Sequence, residues 1–130
     1  MKGTITRFFD GMRKSDTAMM RSSLAPAAIL QSVGKTRDGK VTVRTEIVDS
    51  FLASVARPHP GIIDERIVFE TVRIDGDLAT VWTPYKLYVA ERFIHCGVDS
   101  YQLVKLNGEW KIQYLVDTRR KQDCDKLPGF

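Results

Sequence analysis

Two turn signals, Asp75-Gly76 and Asn107-Gly108, constrain this chain more than any other feature. An Asp-Gly or Asn-Gly pair between β-branched and aromatic runs specifies a two-residue hairpin loop, because both residues accept the positive φ of a type I′ turn. Such runs flank each pair: Ile67 to Ile74 and Asp77 to Trp82 around the first, His95 to Leu106 and Glu109 to Asp117 around the second. A two-residue loop also fixes register. With Leu106 opposite Glu109 and no bulge, Leu103 pairs with Ile112, Tyr101 with Tyr114, Asp99 with Val116 and Gly97 with Thr118. The same count sets Phe69 opposite Trp82 and Thr71 opposite Thr80. A turn near Ala90-Glu91-Arg92 then brings Trp82 level with Asp99 or Tyr101.

Upstream of the hairpins the period changes. Ile5, Phe8, Phe9 and Met12 recur at i, i+3, i+4 and i+7, which predicts a helix from about Thr4 to Lys14 with one buried stripe. Ser15-Asp16 offers an N-cap to a shorter helix carrying Met19, Met20 and Leu24, ended by Pro26. Ala28 to Val33 and Val41 to Val43, around the Asp38-Gly39 turn, predict a small hairpin. Thr45 is expected to cap a third helix, whose apolar face is Ile47, Val48, Phe51, Leu52 and Val55; Pro58-His59-Pro60-Gly61 breaks it. His59 reads as a solvated loop residue. Helix, helix, strand pair, helix and a long antiparallel meander make an α+β arrangement with helices on one side of a sheet. Leu78, Thr80 and Trp82 alternate with Ala79, Val81 and Thr83, so both sheet faces carry apolar residues. An antiparallel sheet with one wet face alternates apolar with polar. The second face is therefore expected to pack on another subunit, making a homodimer.

Length and charge narrow the function classes. The 130 residues suit one domain, 1–130, with a core from about 4 to 120 and a polar tail at 121–130. The net charge of +4 comes from basic residues interleaved with acidic ones, and the one cluster, Arg119-Arg120-Lys121, is flanked by Asp117, Asp123 and Asp125. No nucleic-acid partner is expected. No run reaches the roughly 18 apolar residues of a membrane span, so no membrane partner is expected either. As it stands the chain reads as soluble and cytoplasmic; its abrupt helical start also fits a removed leader, which would make it periplasmic or secreted. Cys96 falls in a strand and Cys124 in the polar tail, so both are expected as thiols, Cys96 buried and Cys124 accessible, with no bridge. Two histidines and two scattered cysteines give no zinc-type spacing, and no glycine-rich phosphate loop is present. Neither a metal nor a cofactor is expected.

The candidate chemistry lies on the long strands. Asp99 and His95 sit inside an otherwise apolar strand, where a polar group must be paired or useful. They are about 13 Å apart along it, too far for a direct hydrogen bond, but both can face one cavity as acid and base. Trp82, Tyr85, Tyr101 and Tyr114 supply flat apolar area and hydroxyl donors suited to a small hydrophobic ligand. Arg119 is a candidate contact to an anionic group on that ligand. Glu65, Arg66, Asp117, Arg120 and Arg119 itself are expected first in rim salt bridges of small energetic weight, the anion contact being the lesser reading of Arg119.

Several segments carry a family resemblance: Phe8-Phe9-Asp10-Gly11-Met12-Arg13-Lys14-Ser15-Asp16, Ile74-Asp75-Gly76-Asp77-Leu78-Ala79-Thr80-Val81-Trp82, His95-Cys96-Gly97-Val98-Asp99-Ser100 and Gly108-Glu109-Trp110-Lys111-Ile112. With the order of elements, they resemble the nuclear transport factor 2-like superfamily, also called SnoaL-like or cystatin-like, over about residues 4–120. The nearest resemblance is to bacterial proteins labelled putative lumazine-binding. This implies a conical α+β barrel: a strongly curved antiparallel sheet wrapped around three helices, with a pocket at the open end and commonly a dimer packed through the sheet. The superfamily holds isomerases, dehydratases and cyclases as well as non-catalytic modules, so the resemblance does not decide whether the chain is an enzyme. The leading expectation is a domain that binds a flat, largely apolar small molecule. The alternatives are a cofactor-independent isomerase, dehydratase or cyclase using Asp99 or His95 as base, and a dimeric association module with no active pocket. A buried carboxylate or imidazole facing a deep cavity favours the enzyme, a purely apolar lining favours binding, and a filled cone favours association.

Overall fold

The computed structural model describes residues 1–130 as three α-helices and seven strands. Helix α1 (Lys2–Arg13) buries the predicted stripe of Ile5, Phe8, Phe9 and Met12. Helix α2 (Thr17–Ser22) starts where the Asp16 side chain accepts a hydrogen bond from Met19 N at 3.0 Å, an N-cap worth about 1 kcal/mol. The two helices meet at Gly11, where a Cβ would lie 2.7 Å from Met20 Cγ. Helix α3 (Val48–Ala56) has Ile47 at its N-cap and no side-chain cap. Thr45 instead belongs to a strand and accepts a hydrogen bond from Gln31 across the hairpin.

The strands are β1 (Leu24–Lys35), β2 (Val41–Glu46), β3 (Ile63–Ile67), β4 (Thr71–Asp75), β5 (Leu78–Val89), β6 (Arg92–Leu106) and β7 (Glu109–Thr118). They form one sheet in the order β2-β1-β7-β6-β5-β3, with β4 also on β5. The sheet is strongly curved and unclosed, around the helices. It is also mixed, not purely antiparallel as expected, because β1 runs parallel to β7. The run from Ile67 to Ile74 is two strands, and the first hairpin loop is Gly76-Asp77, so Thr71 faces Trp82. That shift of two keeps the faces unchanged. On the second hairpin Asn107 and Gly108 adopt φ of 51° and 81°, and Leu106 pairs with Glu109 as expected.

Register then departs from the simple count. Leu103 pairs with Ile112, but Gln102 pairs with Tyr114, leaving Gln113 as an extra residue in β7. Beyond this bulge every β7 side chain changes face. Tyr101 therefore meets Leu115 instead of Tyr114, and Asp99 meets Asp117 instead of Val116. On the other side of β7, β1 breaks its own register between Leu24 and Ile29, a segment containing Pro26, which has no N–H for a ladder.

The cysteines correct another expectation. Cys96 and Cys124 form a disulfide, with Cα atoms 5.8 Å apart. The chain stays beside β6 after β7 ends: Cys96 N donates to Arg120 O and Arg120 N to Cys96 O, each at 2.8 Å. A left-handed residue, Asp123, then turns the tail back. Leu127 is buried and Gly129 packs against Val68, so the tail is held by packing as well as by the bond. Gly97 permits this approach, since a Cβ there would lie 2.2 Å from Thr118 O.

The bond closes a loop with a sequence separation of 28, for which loop-closure entropy gives about 3.5 kcal/mol. Urea denaturation of oxidised and fully reduced protein should differ by roughly that amount. Native protein should show no titratable thiol until reduced. Equal stabilities, or two free thiols in the unreduced protein, would contradict the pairing.

Candidate functional site

Curvature of the sheet over α1 and α3 leaves a cavity of about 210 Å³. Its walls are apolar: Phe8, Phe9 and Met12 from α1, Phe51 and Val55 from α3, and Leu30, Ile63, Leu87 and Leu115 from the sheet. Into these walls the strands insert polar groups, Ser32 from β1, Glu46 from β2, Glu65 from β3, His95 and Asp99 from β6, and Asp117 from β7, with Arg119 just beyond it.

Asp99 is 2% exposed. Its Oδ2 accepts a hydrogen bond from the Tyr101 hydroxyl at 3.3 Å, and that hydroxyl also contacts Thr83 Oγ1 at 2.8 Å. Glu65 is 9% exposed. Alternation along β3 puts it on the same face as Ile63 and Ile67. The Glu65 and Asp99 carboxyls are close enough inside the cavity for each to act on the ionisation of the other, and Glu65 Oε2 receives no N–H or O–H from any group. Two ionised carboxylates buried beside each other repel, so the pair favours keeping a proton. Burial, opposed by the hydrogen bond to Asp99, pushes Glu65 up to about 7. Burial, then the charge of Glu65, pushes Asp99 well above the usual carboxylate range. The pair as a whole therefore keeps a proton at a pH where ordinary carboxyls have lost theirs.

His95 is held from behind. The Tyr85 hydroxyl donates its single proton to Thr118 O at 2.6 Å, so its 3.0 Å contact with His95 Nδ1 has the ring N–H donating to the tyrosine oxygen. Burial, with the charges of Arg119 and Lys121, lowers His95 to about 4. The imidazole is thus neutral at physiological pH, with Nε2 unprotonated. Asp117 is pushed up by burial, against a hydrogen bond from Ser32 and the charge of Arg119. Arg119 Nε lies 3.5 Å from Asp117 Oδ1, an ion pair too poorly aligned to count as a hydrogen bond. Arg13 is also committed: it reaches Asp10 at 2.9 Å and both Asp64 and the backbone oxygen of Glu65 at 3.0 Å, clamping α1 to β3. No three His, Cys, Asp or Glu side chains cluster closely enough to hold a metal ion.

Of the expected site residues, His95, Asp99 and Arg119 line the cavity. Tyr85 and Tyr101 are fully buried behind it and hold His95 and Asp99, so they do not form its wall. Trp82 faces outward and is 46% exposed, because β5 turns Val81 and Thr83 inward and pairs Trp82 with Ser100. Tyr114 is turned outward by the β7 bulge and donates to Gln31 Oε1 at 2.7 Å. Two residues expected at the rim, Glu65 and Asp117, instead enter the cavity. Glu65 was readable from its place between Ile63 and Ile67 at spacing two; Asp117 reaches the interior only through the bulge.

Comparison with known proteins bears on the fold. A family described as putative lumazine-binding matches residues 1–114. No curated protein matches the chain. Among solved structures, an NTF2-like protein of unknown function from Shewanella baltica is 14% identical, covers 92% of this chain and 90% of its own, and gives a TM-score of 0.65. A Streptomyces avermitilis protein described as a putative dehydratase of the NTF2-like family gives 16%, 90%, 91% and 0.68 in the same order. A Nostoc punctiforme domain with a cystatin-like fold gives 12%, 95%, 77% and 0.69. Identities this low establish the shared fold and nothing about chemistry.

The shifted groups oppose each other in stability. Between about pH 4.5 and 7 the native state keeps a proton on Glu65 that the unfolded chain has lost, so this group makes stability fall as pH rises. Between about 4 and 6.5 the unfolded chain protonates His95 and the native state does not, so His95 makes stability rise with pH. Glu65→Gln removes the first contribution and relieves the upward push of Glu65 on Asp99, which acts in the same direction, and leaves that of His95 in place. Calorimetry across this range should show Tm rising more steeply with pH in the variant than in the parent. Parallel curves would place the Glu65 pKa near its ordinary value.

Proposed function

The chain belongs to the putative lumazine-binding family within the nuclear transport factor 2-like group, and from that premise we propose that its cone binds one small, flat, largely apolar molecule. The observation that carries this reading is a cavity with apolar walls and a few convergent polar groups, the usual make-up of a ligand site. Volume limits the ligand. A cavity of roughly 150 Å³ admits benzene, so 210 Å³ suits a substituted ring or a compact bicycle and is too small for a steroid-sized skeleton. The open cavity disfavours a pure association module.

A second reading has its own support. A carboxyl with a pKa of about 7 facing the cavity is suited to take up and return a proton at neutral pH. In that reading Glu65 exchanges the proton, Asp99 supplies a neutral acid, and Tyr101 positions Asp99, giving a cofactor-independent isomerase, dehydratase or cyclase. The low pKa of His95 makes it a hydrogen-bonding partner and a weak base. The likeness to the Streptomyces protein is compatible with this reading through fold alone.

The outer sheet face exposes Ile29 on β1, Val43 on β2, and Leu78 and Trp82 on β5. An apolar face of this kind marks an interaction surface, and we propose that it packs on a second copy related by a two-fold axis.

A thermal-shift screen of one- and two-ring compounds, followed by a bound crystal structure, tests the binding reading. A ligand at 100 times its Kd should add about 2.7 kcal/mol of stability and should lie between Phe8 and Asp99. No hit, or a hit seated on the outer face, would defeat the reading. For the catalytic reading, the bound ligand is incubated in deuterium oxide. Deuterium should enter a carbon position with the parent protein and fail to do so with Glu65→Gln; no incorporation by the parent leaves binding alone. Light scattering at micromolar concentration should give twice the 14.8 kDa chain mass, and a monomer would remove the dimer proposal.

A further inference from the structure

We propose that the ligand presents hydrogen-bond donors, as a neutral N–H edge or a cationic amine or amidine, to Glu65 and Asp99, and that ligands with an anionic edge are excluded. This deepens the binding reading and rests on it. The first ground is an acceptor surplus. Glu65 Oε2 is buried without an N–H or O–H from any other group, and Asp99 receives only the Tyr101 hydroxyl. One proton between two carboxyls leaves several lone pairs with no protein donor. Water can serve them in the empty cavity, but an apolar ring that displaces water must bring donors of its own, because a buried unpaired polar group costs about 1–3 kcal/mol.

The second ground is charge. The arginines around the cavity already have carboxylates: Arg13 has Asp10 and Asp64, Arg119 has Asp117, and Arg44 has Glu46 at 3.2 Å, while Lys121, whose charge reaches His95, does not line the cavity. His95 gives its Nδ1 proton to Tyr85. Arg119 was the sequence's candidate for holding an anion, and the ion pair with Asp117 neutralises it. What the site leaves uncompensated is negative. Against apolar walls such a charge acts at reduced dielectric, where a charge-assisted hydrogen bond contributes about twice a neutral one. An anionic edge would meet repulsion and no free donor.

Three flat probes of similar size separate these possibilities: benzamidine, toluene and benzoate, titrated by NMR at a pH above the Glu65 value of about 7. Shifts in residues of β6 and β7 report occupancy. Benzamidine should bind at least about tenfold more tightly than benzoate, with toluene binding in the same cavity. In Glu65→Gln the preference should shrink to roughly threefold or less while toluene binding persists. Benzoate binding as well as benzamidine, or an unchanged preference in Glu65→Gln, would overturn the inference and leave the pocket reading intact. If none of the three binds, the pocket reading fails and takes the inference with it. Should the variant not fold, the order of the probes on the parent protein decides.

Discussion

One extra residue in β7 decides what this cone contains. At Gln113 the ladder to β6 skips a position, so Leu115, Asp117 and Arg119 point inward while Tyr114 points outward. Without it, the inner row would be Ile112, Tyr114, Val116 and Thr118, which would fill the space with a tyrosine and remove a carboxylate and its arginine. The bulge lies beside the interruption in β1 at Pro26; the two irregularities share one location because a parallel neighbour must accommodate the strand that bulges.

The second constraint is energetic. A buried ionised carboxyl without a partner is costly, and two of them in contact more so. The structure sets against this the Tyr101 hydroxyl on Asp99 and a raised affinity of both carboxyls for protons, while Arg13 holds the β3 backbone in place without touching either carboxyl. A domain tuned for stability alone would place apolar residues there, as it does at Ile63 and Ile67 beside them. That a polar pair persists, next to a neutral histidine and facing a cavity, is the strongest argument that the interior has a use.

Much of the fold was legible. The stripe on α1, the Asp16 cap and the Asn107-Gly108 turn each come from local chemistry with a fixed period or a required φ, and the structure has all of them. The alternation on β6 is legible too: Asp99 and His95 share a face, and both line the cavity. What failed depended on non-local facts. Tyr114 was misplaced because a bulge leaves no clear local signature. Trp82 is misplaced because a position level with Asp99 or Tyr101 is one residue from its actual partner, Ser100, and one residue along a strand is the opposite face. The disulfide was missed because polar composition says little about whether a tail folds back, and here Leu127 and Gly129 supply the anchoring contacts. Glu65 is legible in its spacing from Ile63 and Ile67, which marks the inner face, although a charged residue in a short strand also fits a rim position.

The central claim is that the pair of Glu65 and Asp99 keeps a proton inside the cone at a pH where ordinary carboxyls have lost theirs. Carboxyl carbon shifts of selectively ¹³C-labelled Glu and Asp, followed by NMR from acid to alkaline pH, measure this directly. Glu65 should titrate near pH 7, with Asp99 remaining protonated through that step and responding to it. Two independent transitions near the ordinary carboxylate values of about 4 would show two separate, solvated carboxylates and contradict the account.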